Sequence, residues 1–212
     1  LPMALHDMIK DTIAAHKRII FNGNGYSDEW VAEAERRGLP NIKCMVDAVP
    51  ALVKPEAVEI FEKHGVYTKA EMESRAEVMY ETYSKTINIE ALTMIDMAKK
   101  QIVPATIKYQ TSLAESVNAI KAASSAVDTS VQEALMADIS TNLKDMYVAL
   151  AHLEEVAGKA EAMEEGAEQG HYYHDVVFTA MDELRKPADK LEMLVAKSAW
   201  PFPSYGDLIF EV

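Results

Sequence analysis

One cysteine, Cys44, is the only thiol in the sequence. That excludes an internal disulfide and fits a reducing compartment, so the cytoplasm is the expected location. No apolar run approaches the roughly 18 residues of a membrane span. Leu1 to Ile20 is not a signal peptide in character either, because His, Asp, Lys and Arg interrupt its apolar pattern. Positive charge is short: 21 Lys and Arg face 34 Asp and Glu, a formal net charge of −13. A surface that acidic repels phosphate backbones and anionic lipid, which argues against nucleic acid and membranes as partners. Glycine and proline are scarce, 8 of each in 212 residues, and the Ala, Glu, Lys, Met and Leu usage favours helix. The 49% hydrophobic content supplies a core and argues against disorder. The chain opens on Leu1, inside a helical pattern, which reads as a piece of a longer polypeptide.

Helical spacing begins with Leu5, Ile9, Ile13 and Ile20. Asn22-Gly23-Asn24-Gly25 then breaks the helix, with residues that tolerate left-handed backbone. Ser27 is an N-cap, followed by Asp28 and Glu29 where the helix dipole favours acids, and Gly38 with Pro40 closes that helix. Asn41 to Pro50 reads as an irregular connector. Pro55 opens a short helix that runs to His64 and stops at Gly65.

Thr68 and Glu71 have capping-box spacing, so a helix starts at Lys69. No glycine follows until Gly158. One apolar stripe runs Met72, Ala76, Met79, Tyr83, Ile87, Ala91, Met94, Ala98, Ile102, Ala105, Tyr109, Leu113, Val117, Ile120, in steps of three or four. A helix to about Ser124 would be on the order of 80 Å long. Pro104 lies inside it, crowding the carbonyl of Lys100, and a kink is expected there because the stripe resumes in phase. Ser130 and Glu133 repeat the capping-box spacing. A helix with Val131, Leu135, Ile139, Leu143, Met146, Leu150 and Leu153 on one face follows, antiparallel to the first. Gly166 and Gly170 mark a turn. The last helix carries Tyr173, Val177, Ala180, Leu184, Leu191 and Leu194, with a second kink at Pro187.

The expected fold is all-α: an antiparallel bundle of three long helices preceded by a cluster of short ones. Residues 1–66 form the short-helix segment, 67–199 the bundle and 200–212 a non-helical tail.

Chemistry is sparse. Asn22 to Ser27 precedes a helix and is glycine-rich, but lacks the preceding strand, the GxGxxG spacing and the Lys-Ser/Thr ending of a phosphate loop; a helix–helix turn is the preferred reading. Glu168, His171 and His174 give a single ExxH, where a di-metal bundle needs two and further glutamates, so surface or capping roles are expected and a metal-binding bundle is the weakest reading. Glu154, Glu155, Glu161, Glu164, Glu165 and Glu168 lack the register of a calcium loop and read as a solvated face. Cys44 has no evident activating base and reads as packing. Trp200-Pro201-Phe202-Pro203 lacks PxxP spacing, so its rings are expected to dock on the chain's own helices or on a neighbour. No catalytic, cofactor-binding or metal residue is assigned.

The stretch His16-Lys17-Arg18-Ile19-Ile20-Phe21-Asn22-Gly23-Asn24-Gly25-Tyr26-Ser27-Asp28-Glu29-Trp30 closely resembles the C-terminal part of type III glutamine synthetases. The resemblance continues through Glu33 to Asn41, Lys85 to Ala91, Pro104 to Gln110 and Trp200 to Tyr205, in order along essentially the whole chain. It implies a parent enzyme that joins ammonia to glutamate with ATP and divalent metal (magnesium or manganese), as a large homo-oligomer of stacked rings. It also implies that this region lies downstream of the catalytic core, since no counterpart of the family's metal ligands, ATP segments or substrate arginines is present. The expected role is structural: packing on the catalytic domain, shaping contacts between neighbouring subunits, or modulating access to the active site. The alternative is a free-standing helical adaptor that binds a partner through the long-helix stripe.

Overall fold

The computed structural model describes residues 2–210, with the backbone alone for Tyr205. No strand occurs among the described residues. Contacts divide the chain into two units, Leu1–Ala48 and Val49–Val212. The boundary thus falls earlier than position 66, and the Pro55 helix belongs with the long helices.

In the first unit, α1 (Pro2–His16) passes into a 3-10 turn at Lys17–Ile19. Helix α2 (Asp28–Arg36) is capped by Ser27, whose side chain accepts from the Trp30 amide. It ends as the sequence requires: Gly38 adopts φ 71°, and the amides of Gly38 and Leu39 bond the carbonyls of Glu35 and Ala34, the paired closure that favours glycine. The segment read as a connector is irregular up to Cys44 and helical from Met45. Helix α3 (Met45–Leu52), which crosses from the first unit into the second, holds Pro50 in its last turn, where one lost hydrogen bond is tolerable, and both Val46 and Val49 are buried.

In the second unit, α4 (Pro55–Lys63) starts on its proline and closes at Gly65, φ 61°, in the same way as α2. Tyr67 then packs, tilted, against Phe61 at 5.7 Å and lies beneath the Arg75 guanidinium at 4.3 Å, tying α4 to the next helix. Helix α5 (Lys69–Met97) starts with both arms of the capping box formed between Thr68 and Glu71. It continues through a π turn, Ala98–Ile102, into α6 (Val103–Ala123). The chain answers Pro104 with that wider turn. Val103 donates five residues back to Ala98 instead of four, and the proline falls in the first turn of α6, where a missing N–H matters least.

Helix α7 (Ser130–Glu161) runs antiparallel to this column, as the pairs Lys121–Glu133, Gln110–Met136 and Lys99–Glu154 show. Its start differs from the capping-box expectation. Ser130 is already helical, and its amide and hydroxyl both donate to Asp128, at 2.9 and 3.0 Å. Helix α8 (Ala167–Tyr172) begins after Gly166, at φ 138°. Gly170 is buried inside α8, so only Gly166 serves the turn. A second π turn, Tyr173–Val177, leads into α9 (Phe178–Leu194), which packs along α7. Pro187 is a buried member of the inward face of α9, in line with Leu184 and Leu191.

The core joins Ile87, Ala91 and Ala98 of the long column to Ile139, Met146, Leu150 and Leu153 of α7 and to Val177, Leu184 and Leu191. Two stripe assignments fail. Val131 is 77% exposed at the free end of α7, and Met79 is exposed while its neighbour Tyr80 is buried. Trp200 and Phe202 pack on this core, but the tail is only partly irregular: α10 (Tyr205–Phe210) follows, because Ser204 and Asp207 form a reciprocal cap as soon as the prolines end. Residues 211–212 of the expected tail lie outside the described residues.

Candidate functional site

The glycine-rich turn sits in the first unit and is built around two aromatic side chains and a guanidinium. Phe21 stacks on Trp30 at 4.4 Å, and the Arg37 guanidinium lies 5.9 Å from Phe21 and 5.7 Å from Trp30. Arg37 also donates to the carbonyls of Arg18 and Ile20, at 3.0 and 2.6 Å, and to Glu33 at 2.5 Å. One side chain thereby fastens the end of α2 to the 3-10 turn after α1. Gly23 and Gly25 do not use left-handed backbone. Gly23 is needed for a close approach instead, since a Cβ there would lie 2.5 Å from the tip of the Phe21 ring.

Three amides in and just after this turn are already used. Tyr26 donates to the Asn24 side chain at 3.0 Å, Ser27 to the Asn24 carbonyl at 3.2 Å, and Trp30 to Ser27. A phosphate cradle needs those N–H groups free, so the geometry is that of a turn. Tyr26 projects at its tip, 100% exposed.

Glu33 accepts from both Arg36 and Arg37, and these partners, Arg36 foremost, hold its carboxyl down at about 2, against an ordinary value of 4.5. A lowered carboxylate contributes fully above about pH 4.5, and its contribution is lost as pH falls through about 2. In a Trp200→Phe background, Trp30 fluorescence should therefore change between those limits, and Glu33→Gln should abolish the transition. A change confined to neutral pH would contradict the assignment.

The remaining candidates are scattered. Cys44 donates to Asp47 at 2.9 Å, and that hydrogen bond pushes its thiol up, away from the nucleophilic thiolate. His174 pairs with Asp175 at 2.7 Å, and no group of three or more His, Cys, Asp or Glu among the described residues could hold a metal ion. Of the acidic run, Glu154 pairs with Lys99 and Glu155 with Lys159. Trp200 and Phe202, edge to face at 6.1 Å, close a cleft of about 440 Å³ against Met94, Met97, Leu184 and Ala188. The sequence offered no signal for the clamp role of Arg37, because its partners are 17 and 19 residues away.

Residues 4–121 match the family model of the glutamine synthetase C-terminal domain. The chain belongs to this family. Relatives extend the match over nearly the whole chain. It is 38% identical over 206 residues to a glutamine synthetase of Butyrivibrio fibrisolvens, covering 97% of this chain. It is 29% identical over 211 residues to the type-3 glutamine synthetase of Dictyostelium discoideum, and 30% identical over 211 residues to a glutamine synthetase of Bacteroides fragilis (strain YCH46), each covering 98% of this chain. The chain spans 29% of the length of each of these relatives. The glutamine synthetase C-terminal domain seen here is thus helical among its described residues, with the glycine-rich turn in one unit and the long helical column in the other. No helix among its described residues is long and apolar enough to cross a membrane.

Proposed function

We propose that this domain is the non-catalytic helical region of a type III glutamine synthetase, docking on the enzyme's catalytic domain and shaping contacts between subunits of a homo-oligomer. The parent reaction is the ATP-dependent joining of ammonia to glutamate, with magnesium or manganese, in the cytoplasm. ATP and metal would be held outside this region.

The observation that carries the docking role is α1. Its 15 residues include none that is buried. Leu5, Met8, Ile9 and Ile13 form one helical stripe, exposed by 51, 58, 46 and 50%. Such a stripe, at the 3.6-residue period of a core-facing helix, is an interaction surface. The length of the relatives, more than three times that of this chain, supports the rest of the enzyme as its partner.

Ile9→Asp in the complete enzyme tests this. The oligomer's mass and the rate of glutamine formation should both fall, while the melting of the chain on its own stays unchanged, since Ile9 is exposed there. Unchanged mass and rate in the complete enzyme would sink the docking role.

A further inference from the structure

A polar cleft of about 230 Å³ in the second unit, unrelated to α1, has the makings of a binding site. One wall is a face of α5 bearing Glu81, Ser84, Lys85 and Asn88; the other is formed by Glu161, Glu165, Gln169 and Tyr173 where α7 turns into α8. Its volume is about that of seven or eight waters at about 30 Å³ each, so it admits a small solute.

Two of its oxygens are buried without satisfaction. Ser84 is 2% exposed, and neither its Oγ nor Asn88 Oδ1 has a hydrogen-bond partner among the described residues. Two other hydroxyls of α5, those of Thr86 and Thr93, donate to the carbonyl four residues back, at 2.8 and 2.7 Å. Ser84 forgoes that bond. A buried hydroxyl and a buried amide oxygen left unpaired are costly, which marks the cleft as built for a ligand that hydrogen-bonds.

The charge of the cleft selects the ligand. Lys85 pairs with Glu81 and also feels the charge of Glu165, and the three carboxylates of Glu81, Glu161 and Glu165 outnumber this one cation. Tyr173, 2% exposed, is held in its neutral form, its hydroxyl pushed up by burial first and by Glu161 second. The cleft therefore offers acceptors and a surplus of negative charge. A divalent cation needs six or more oxygens converging at 2.0–2.6 Å, roughly, and no three carboxylates here are close enough to hold one. An –NH₃⁺ group, with three donors fanned tetrahedrally, suits separated acceptors better.

We propose that this cleft binds a primary ammonium group, either that of the ammonium ion or that of a small organic amine. Ser84, Asn88 and the Glu161–Glu165 pair supply the acceptors. The site stands on its own geometry and does not depend on the docking role of α1.

Saturation-transfer NMR on the full chain, titrated with methylammonium chloride at constant ionic strength, tests it. A saturable signal is expected, displaced by ammonium chloride and not by potassium chloride, whose ion has similar size but no N–H. Ethanolamine binding more tightly than ammonium would identify an organic amine as the source; the reverse order would identify the free ion. The double variant Glu161→Gln/Glu165→Gln, altered at exposed positions that leave the core intact, should bind about tenfold more weakly or less well still. Ser84→Ala should weaken binding with no loss of helix by circular dichroism. No saturable signal, equal displacement by potassium, or full binding by the double variant would each overturn the proposal.

Discussion

Arg37→Met should release the first unit's turn, with the amides of α2 and of the 3-10 segment at Lys17–Ile19 losing hydrogen-exchange protection together. The side chain is 18% exposed, so its interactions are only partly screened by water. Two of them are charge-assisted bonds to the backbone carbonyls of Arg18 and Ile20. Such bonds contribute about 1.5–3 kcal/mol each, with substantial overlap, and the guanidinium's position over Phe21 and Trp30 adds a fraction of that. A local destabilisation of about 2–4 kcal/mol is the expected sum. Arg37→Lys should rescue little, because an ammonium cannot span two carbonyls, a carboxylate and two rings with one planar fork. Unchanged protection in α2 after Arg37→Met would show that the turn is held by its own hydrogen bonds and that the clamp is incidental.

The largest effect expected in the second unit is that of Leu184→Ala. Leu184 is 2% exposed and belongs to the cluster that joins α9 to α7 and the long column. Truncating a leucine enclosed on all sides removes transfer free energy and leaves a cavity, at a cost of about 2–5 kcal/mol. In a unit of this size that lowers the melting temperature by about 4–15 °C, read by circular dichroism at 222 nm. Val131→Ala is the matched control. Both residues lie on stripes of helical period, yet Val131 is 77% exposed and its truncation should change stability by less than about 0.5 kcal/mol. If the two variants melted alike, the core described for α7 and α9 would be wrong.

The contrast between those two residues shows where the sequence ran out. Helix existence and most helix ends were legible, because their causes lie within a few residues. Thr68 with Glu71, Pro55 at a first turn, and Gly38 and Gly65 at closures all act locally. The second half of the connector, Met45 to Pro50, and the tail after Pro203 were misread for the opposite reason. Burial of Val46 and Val49, and the cap that Ser204 makes with Asp207, outweigh a proline's local preference.

Periodicity alone also cannot say which residue of an adjacent pair turns inward once the helix changes pitch or runs past its neighbours. Tyr80 is buried where Met79 is exposed, and Val131 lies beyond the cover that α9 provides to the rest of α7. Pro104 was visible as a fault in the column, but its resolution as a π turn at Ala98–Ile102 depended on keeping both Ala98 and Ile102 in the core.

The features that bear on function divide in the same way. The family resemblance and the apolar stripe of α1 are properties of residue order and spacing, so the sequence by itself determined them. The Arg37 clamp, and the cleft in which Ser84 and Asn88 meet Glu161 and Glu165, join residues that are 17 to about 80 positions apart. Only the packing of helix on helix brings such groups together. Hydrogen bonding and desolvation act over a few ångströms, a distance the sequence does not record.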